Sequence, residues 1–323
     1  MKSLAYDIVR TTQQAALAAW PLLGCGDKNQ IDGVAVAAMR QQLSGMAMQG
    51  QIVIGEGEID QAPMLYIGER LGSGNGPAVD IAVDPIEGTR MVAMGQYNAL
   101  AVIAFAPHNA LLHAPDMYMR KMVVGPGAKG AIDLRLPLEQ NLRQVAQALG
   151  KPLHQLRMIT LDKPRHELIR QQAQALGVKI FAIPDGDVAA SLMTCLPGGE
   201  ADIMYTLGGA PEGVISACAV RLLGGDMQAE LIDFCQAKGD TPEHRILAQE
   251  ERRRCSNMGI EINTILPLNA LIASDEVIFS ATGITKGDII GGIKQKEGYL
   301  STETLMINGT DGSCNRIHTL HLH

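Results

Sequence analysis

The chain has 323 residues, 46% of them hydrophobic and 19% charged, with a formal net charge of −7; that is room for one large domain or two ordinary ones around a substantial core. Aromatic residues make up only 3%, which argues against stacking of nucleic-acid bases. With no basic block there is no general attraction to phosphate backbones or anionic lipid, so neither nucleic acid nor membrane is an expected partner, and an anionic ligand must be met locally by a metal or a few placed Lys and Arg.

No apolar run reaches the roughly 18 residues of a membrane span. The N-terminus, MKSLAYDIVRTTQQAALAAW, lacks the compact apolar core and cleavage site of a signal peptide. Six scattered Cys without a CxxC pair read as reduced thiols of a cytoplasmic protein rather than a disulfide framework or a zinc site.

In chain order, the opening segment reads as an amphipathic helix. A second helix follows over 31–43, with Ile31, Val34, Ala35, Ala38, Met39 and Leu43 at helical spacing after the polar connection GCGDKNQ. QIVIGEGEID predicts a strand over 51–54 that stops at Gly55 and Gly57. PMLYIGERLG predicts a short helix capped by Gly72. A strand follows over 79–83, and ALAVIAFA (99–106) forms another, which PHN turns toward LLHA as a hairpin. This half is expected to hold a partly antiparallel sheet with helices on one or both sides.

The second half has a plainer rhythm. LRMITL, VKIFAI and ADIMYTL read as strands that alternate with the helices RHELIRQQAQALG, VAASLMTCL and EGVISACAVRLLGG, which implies parallel βαβ units. Ligands gather at the carboxyl ends of such strands. The loops there are DKPR (162–165), PDGD (184–187) and GGAPEG (208–213), all rich in charge and turn residues. Beyond residue 225, EHRILAQEERRRCSNMG reads as a charged, solvated helix, SDEVIFSATG and TLMING as strand pieces, and the terminal HLH as a loose tail. Gly150 and Pro152 mark a boundary that divides the chain into 1–155 and 156–323.

The acids carry the chemistry. In VDIAVDPIEGTRM, Val79, Ile81 and Val83 share one face of the strand and Asp80, Ala82 and Asp84 the other. Pro85 cannot donate to a ladder, so the strand is expected to end there, and Gly88 permits a sharp turn. Asp84 and Glu87 are thereby held close, and two such carboxylates in a poorly hydrated pocket call for a cation. A hard divalent ion such as Mg²⁺ or Mn²⁺ suits oxygen ligands. Thr89 adds a hydroxyl, and 89–95 can begin a short helix whose free N–H groups face an anion. Alone, Asp-Pro at a strand end is equally a plain turn. GEGEID adds Glu56, Glu58 and Asp60; Asp32 lies beside Lys28 at the start of the second helix; Glu212 opens a helix after a strand end. Taken singly, Asp32 is an ordinary helix residue and Glu212 a charge favoured by the helix dipole. Together these acids suggest more than one metal.

The DPIEGT segment resembles the metal-binding signature of the lithium-sensitive, metal-dependent phosphatase superfamily, which includes inositol monophosphatases and fructose-1,6-bisphosphatases. GDKNQIDGVAVAAMR, VIGEGEIDQAPMLYIGE, VDIAVDPIEGTRMVA, HAPDMYM, DKPRHELI, PDGDVAAS and YTLGGAPEGVISA together resemble the class II (bacterial) fructose-1,6-bisphosphatase family, in family order from about residue 20 to 240. The resemblance implies a mixed α/β fold, a layered α/β/α/β/α sandwich of the inositol monophosphatase type, with metals where the two halves meet. It implies two ions per subunit, Mn²⁺ or Mg²⁺: Asp32 and Glu56 hold one, and Asp84, Glu87 and Glu212 the other. These ions bind the scissile phosphate and lower the pKa of an attacking water. Thr89 orients that water or donates to the phosphate, Asp60 orients Thr89 or the water, and Lys28 neutralises charge near the metals.

The same resemblance assigns the substrate to Glu87, Gly88, Thr89, Tyr118, Lys163, Pro164, Arg165, Asp185, Gly186, Asp187 and Gly209. Lys163 and Arg165, stiffened by Pro164, clamp the second phosphate, although by themselves they are surface cations at a helix start. Asp185 and Asp187 accept from sugar hydroxyls, or belong to a solvated turn. Tyr118 contacts sugar or phosphate, or is a core residue. Gly209 lets the backbone approach substrate, or serves the turn alone. The implied activity is hydrolysis of fructose 1,6-bisphosphate to fructose 6-phosphate and phosphate, in a homodimer or homotetramer. The alternatives are sedoheptulose 1,7-bisphosphate or an inositol phosphate as substrate, or a non-catalytic sugar-phosphate sensor. No motif supports a Ser or Cys nucleophile.

Overall fold

The computed structural model describes residues 1–55 and 65–322. The chain forms two compact units, Met1–Leu111 with Ser274–His323, and Leu112–Ala273. Each contains a mixed sheet with helices, so the α/β expectation holds. The expected division at residue 155 differs from these units, because the C-terminal segment returns to the N-terminal one.

In the first unit, strand Ala78–Glu87 lies between the parallel strand Gln49–Ile54 and the antiparallel strand Leu100–Pro107. The sheet continues through Ile278–Gly283 and Tyr299–Asn308 to the edge strand Ser313–Leu322. Helices Ala5–Ala19 and Lys28–Ser44 cover one face. Ile8, Ile31 and Met39 cluster there with Val79, Ile81, Val83, Ile103, Phe105 and Ile278. That is the face the alternation in VDIAV predicts. A buried run of hydroxyls ties the first helix to the last strands. Thr12 bonds Ser280 at 2.9 Å and accepts from Thr282 at 2.8 Å, and Gln13 donates to Thr319 at 2.8 Å. Buried polar groups of this kind require partners, and here the partners lie some 270–300 residues away in sequence.

Four expectations need correction. Strand Ala78–Glu87 does not stop at Pro85. Its pairing with Gln49–Ile54 reaches only Ala82, so the missing N–H removes no bond there. On the other side a bulge between Asp84 and Glu87 absorbs one extra residue. The helix predicted over 63–72 is a turn at Gly68, which has φ +94°, followed by strand Arg70–Leu71 paired with Gly50–Gln51; residues 63 and 64 lie outside the described residues. Strand Leu100–Pro107 pairs with Ala78–Glu87 and Ile278–Gly283, not with LLHA. The terminal HLH is no loose tail up to Leu322: it ends a ten-residue strand, and His321 Nε2 bonds the Thr302 hydroxyl at 2.9 Å.

The second unit has the strand order Ile265–Pro267, Asp226–Ile232, Tyr118–Val124, Ile203–Gly209, Arg157–Leu161, Lys179–Ile183. The three strands read from the βαβ rhythm are parallel to one another, so the loops after them open at one end of the sheet. Tyr118–Val124 runs antiparallel to Ile203–Gly209 and therefore starts at that same end. Met122, Val124, Met158 and Ile203 pack with helices Leu138–Ala148 and Glu167–Ala175. Helices Asp187–Cys195 and Ala210–Leu222 pack on the same strands from the other side. All six cysteines are free. Cys195 and Cys218 are buried, and burial pushes both thiols up to about 12, so they are inert packing groups. Cys25 and Cys314 are exposed.

Candidate active site

In the first unit, the site is built where strand Ala78–Glu87 meets helix Thr89–Ala93. Gly88 joins them with φ 84° and ψ 46°, a left-handed conformation that favours glycine. Asp84 turns its Oδ1 back to accept from the Ile86 N–H at 3.0 Å, and Glu87 is buried. The reversal at Gly88 brings the Thr89 hydroxyl to Asp32 on the second helix: Thr89 Oγ1 donates to Asp32 Oδ1 at 2.8 Å, with Ile86 O as an alternative acceptor at 3.2 Å. Burial raises the Asp32 carboxyl above its ordinary value, opposed by the Thr89 hydrogen bond and by the charge of Lys28. Lys28 itself is exposed.

In the second unit, the three loops and Tyr118 converge at one sheet end. Lys163 pairs with Asp185 at 2.6 Å. The Arg165 Nε donates to Leu207 O at 2.7 Å, and its guanidinium stands 5.4 Å from the centre of the Tyr118 ring. The Leu207 N–H donates to His166 Nε2 at 2.7 Å, so Arg165 and His166 grip Leu207 from both of its backbone groups. His166 is fully buried, and desolvation, with Arg165 next, holds its pKa down to about 4. It is a neutral acceptor there.

Asp187 forms a buried ion pair with Lys121. Glu212 is only half-buried, but its Oε2 is buried and accepts no hydrogen bond. Burial raises its carboxyl; Lys121 lowers it, while Asp187 and Asp116 raise it further. Gly209 has φ −73° and ψ 150°, which any residue adopts. Glycine leaves space there for the Glu212 carboxylate, which a Cβ would overlap in its present position. A cavity of about 520 Å³, lined by Arg157, Thr194, Cys195 and Asp202 among others, opens at the opposite end of this sheet.

Residues 2–321 match the family described as bacterial fructose-1,6-bisphosphatase, glpX-encoded. The chain belongs to this family. It is 64% identical to fructose-1,6-bisphosphatase 2 class 2 of Escherichia coli (strain K12) over 321 residues, covering 99% of this chain and 100% of that protein. It is 57% identical to fructose-1,6-bisphosphatase 1 class 2 of the same organism, over 99% of this chain and 95% of that one. A relative from Prochlorococcus marinus subsp. pastoris, named D-fructose 1,6-bisphosphatase class 2/sedoheptulose 1,7-bisphosphatase, is 40% identical over 99% of this chain and 97% of its own.

The residues expected from the bisphosphatase family fall into three groups. Lys28, Asp32, Asp84, Glu87, Gly88 and Thr89 belong to the first unit. Tyr118, Lys163, Pro164, Arg165, Asp185, Gly186, Asp187, Gly209 and Glu212 belong to the second. Glu56 and Asp60, with Glu58, lie outside the described residues. Among the described residues, no three His, Cys, Asp or Glu side chains form a group that could hold a metal ion. Of the two expected ligand sets, the one with Asp32 includes Glu56, outside the described residues, whereas Asp84, Glu87 and Glu212 are all described and are not brought together as such a group. Two participants escaped the reading of the sequence. Lys121 sits in YMRKMVV on the strand face shared by Met119 and Val123, and a lysine in that apolar alternation was its signal. His166 has no sequence signal, since its role depends on meeting a backbone group on another strand.

Proposed function

We propose that this protein is a metal-dependent sugar-bisphosphate phosphatase that hydrolyses fructose 1,6-bisphosphate to fructose 6-phosphate and phosphate. Family membership supports the reading, and one local observation carries it: Thr89, Asp32, Asp84 and Glu87 are gathered around the single turn at Gly88. The donor set is all oxygen, and the buried, unbonded Glu212 Oε2 fits a hard divalent cation. Asp32 and Glu56 would hold one ion, and Asp84, Glu87 and Glu212 a second, Mn²⁺ or Mg²⁺. When bound, such ions neutralise phosphoryl oxygens and acidify water.

The chain's own groups do the rest. Thr89 donates to Asp32, which leaves its oxygen lone pairs to accept from a water and aim it at phosphorus, with Asp60 and Lys28 assisting. The water oxygen bonds to phosphorus as the bond between phosphorus and the sugar oxygen breaks, the water giving up one proton and the departing sugar oxygen taking one up to leave as a hydroxyl. Arg165 and Lys163, fixed by Leu207, Asp185 and Pro164, clamp the second phosphate. Tyr118, Asp185, Gly186 and Asp187 contact the sugar, and Gly88 and Gly209 let the backbone come close.

We extend the reading to the lithium-sensitive superfamily and its layered α/β/α/β/α sandwich, supported by two mixed sheets that each carry helices. Six free cysteines suit the cytoplasm, and among the described residues no helix is long and apolar enough to cross a membrane. A homodimer or homotetramer is supported by the outer edge of Ser313–Leu322, with Leu320 and Leu322 exposed. Phosphate release from fructose 1,6-bisphosphate is expected with Mn²⁺ or Mg²⁺, absent with chelator, and abolished in Glu56→Ala. A wild type that releases no phosphate with any divalent metal sinks the reading in favour of a sugar-phosphate sensor. Sedoheptulose 1,7-bisphosphate belongs in the same assay, since the Prochlorococcus relative is named for both activities.

A further inference from the structure

We propose that Lys121 is a positioning residue that locks Asp187 and the turn carrying Glu212 into their working places; this rests on the phosphatase reading above. Lys121 is fully buried in strand Tyr118–Val124. Met122 and Val124 point into the apolar cluster on one face of the sheet, so Lys121 points to the other, beneath helices Asp187–Cys195 and Ala210–Leu222. Its Nζ donates to Gly209 O at 2.6 Å and pairs with the Asp187 carboxylate.

Asp187 is the first residue of one helix and Gly209 the N-cap of the next. A single ammonium therefore ties together two helix starts, one presenting a substrate carboxylate and the other, three residues on, Glu212. Both anchors sit where the chain passes from a parallel strand into a helix.

The backbone is shaped around this side chain. A Cβ at Gly208 would stand 3.1 Å from Lys121 Nζ and overlap the Asp187 carboxylate. A Cβ at Gly213 would stand 3.1 Å from Lys121 Cδ and overlap Met119 Sδ. In GGAPEG, Gly208 and Gly213 thus make room for the lysine and its partners, while Gly209 clears Glu212. A buried lysine keeps its charge only with such partners, and removing one of the pair leaves the other charge buried and uncompensated. The charge of Lys121 also acts on Glu212. Lys121 is itself fully buried and acts through Asp187 and Gly209.

The test is a double-mutant cycle with Lys121→Met, Asp187→Asn and the pair, assayed with fructose 1,6-bisphosphate and Mn²⁺ well below each variant's Tm. Lys121→Met is expected to lower kcat/KM about 100-fold, with KM raised and kcat lowered. In the Asp187→Asn background the same change is expected to cost no more than about threefold. A variant with a lower Tm but wild-type kcat and KM overturns the proposal, and so do equal losses in both backgrounds. If Lys121→Met does not fold, Lys121→Gln, which keeps a donor for Gly209 O, goes through the same cycle. A wild type that releases no phosphate overturns the phosphatase reading, and the positioning role with it; an active wild type leaves the cycle to decide on Lys121 alone.

Discussion

Asp185 and Asp187 in the second unit and Asp32 in the first stand in different electrostatic settings. In the second unit, Asp185 has Lys163 and Asp187 has Lys121, so negative charge is offset from within the chain. In the first, Asp32 is bonded by a neutral hydroxyl, with its carboxyl raised by burial and opposed by that hydrogen bond and, as the only cation, by the exposed Lys28. A carboxylate offset by lysine is ready to bind hydroxyls without further help. One that is partly desolvated beside other acids gains most from an added cation. Under the proposed function, the lysine-paired Asp185 and Asp187 are the sugar-facing acids, while Asp32 and the equally desolvated Glu212 are the cation-facing ones.

The largest effect that would sharpen this contrast is expected at Asp84. Asp84→Asn keeps the acceptor for Ile86 N–H but removes the charge, and should lower kcat/KM by about 10³-fold or more, with the Mn²⁺ needed for half-activation raised. Calorimetric titration with Mn²⁺ and steady-state kinetics check it; a near-normal Mn²⁺ requirement would break the contrast. Arg165→Ala comes next. It should raise KM for the bisphosphate roughly 30-fold, the worth of a charged hydrogen-bond set, and spare a sugar monophosphate. Equal loss on both substrates would remove the second-phosphate clamp.

The two glycines separate backbone strain from space. Gly88→Ala meets a left-handed conformation and should cost about 1–2 kcal/mol in denaturant unfolding. Gly209→Ala should cost less stability, because the Glu212 side chain can swing away, but should raise the Mn²⁺ requirement. The smallest effect is a pH slope. The His166 value of about 4 lies below the ordinary 6.5, so between these values the unfolded chain binds more protons. Stability is full above pH 6.5 and is lost as pH falls toward 4. From about pH 7 to pH 5.5 the wild type should lose about 1 kcal/mol more than His166→Gln; identical slopes in thermal melts would show that His166 is not held neutral.

Much of this was legible in the chain itself. Period-two and period-3.6 patterns located the central strands and helices, and the alternation of strands with helices predicted the parallel arrangement that puts DKPR, PDGD and GGAPEG at one end. Composition and turn residues mark these features locally, so no tertiary knowledge was needed. The passage of the strand through Pro85 was not legible, because it depends on which neighbour stops at Ala82. Nor were the turn at Gly68 and the strand Arg70–Leu71, where pairing with Gly50–Gln51 overrides an apolar spacing.

What the sequence determined by itself was the α/β class, the acids at strand ends and the family wording around them. These are properties of short stretches, in which side-chain type and spacing suffice. Tertiary structure alone decided that the last strands complete the first sheet, that Thr89 answers to Asp32 rather than only to its own turn, and that a lysine in an apolar strand stands under two helix starts. Each of those facts joins residues far apart in sequence, and the energy that fixes them, burial of polar groups against specific partners, exists only once the chain has brought them together.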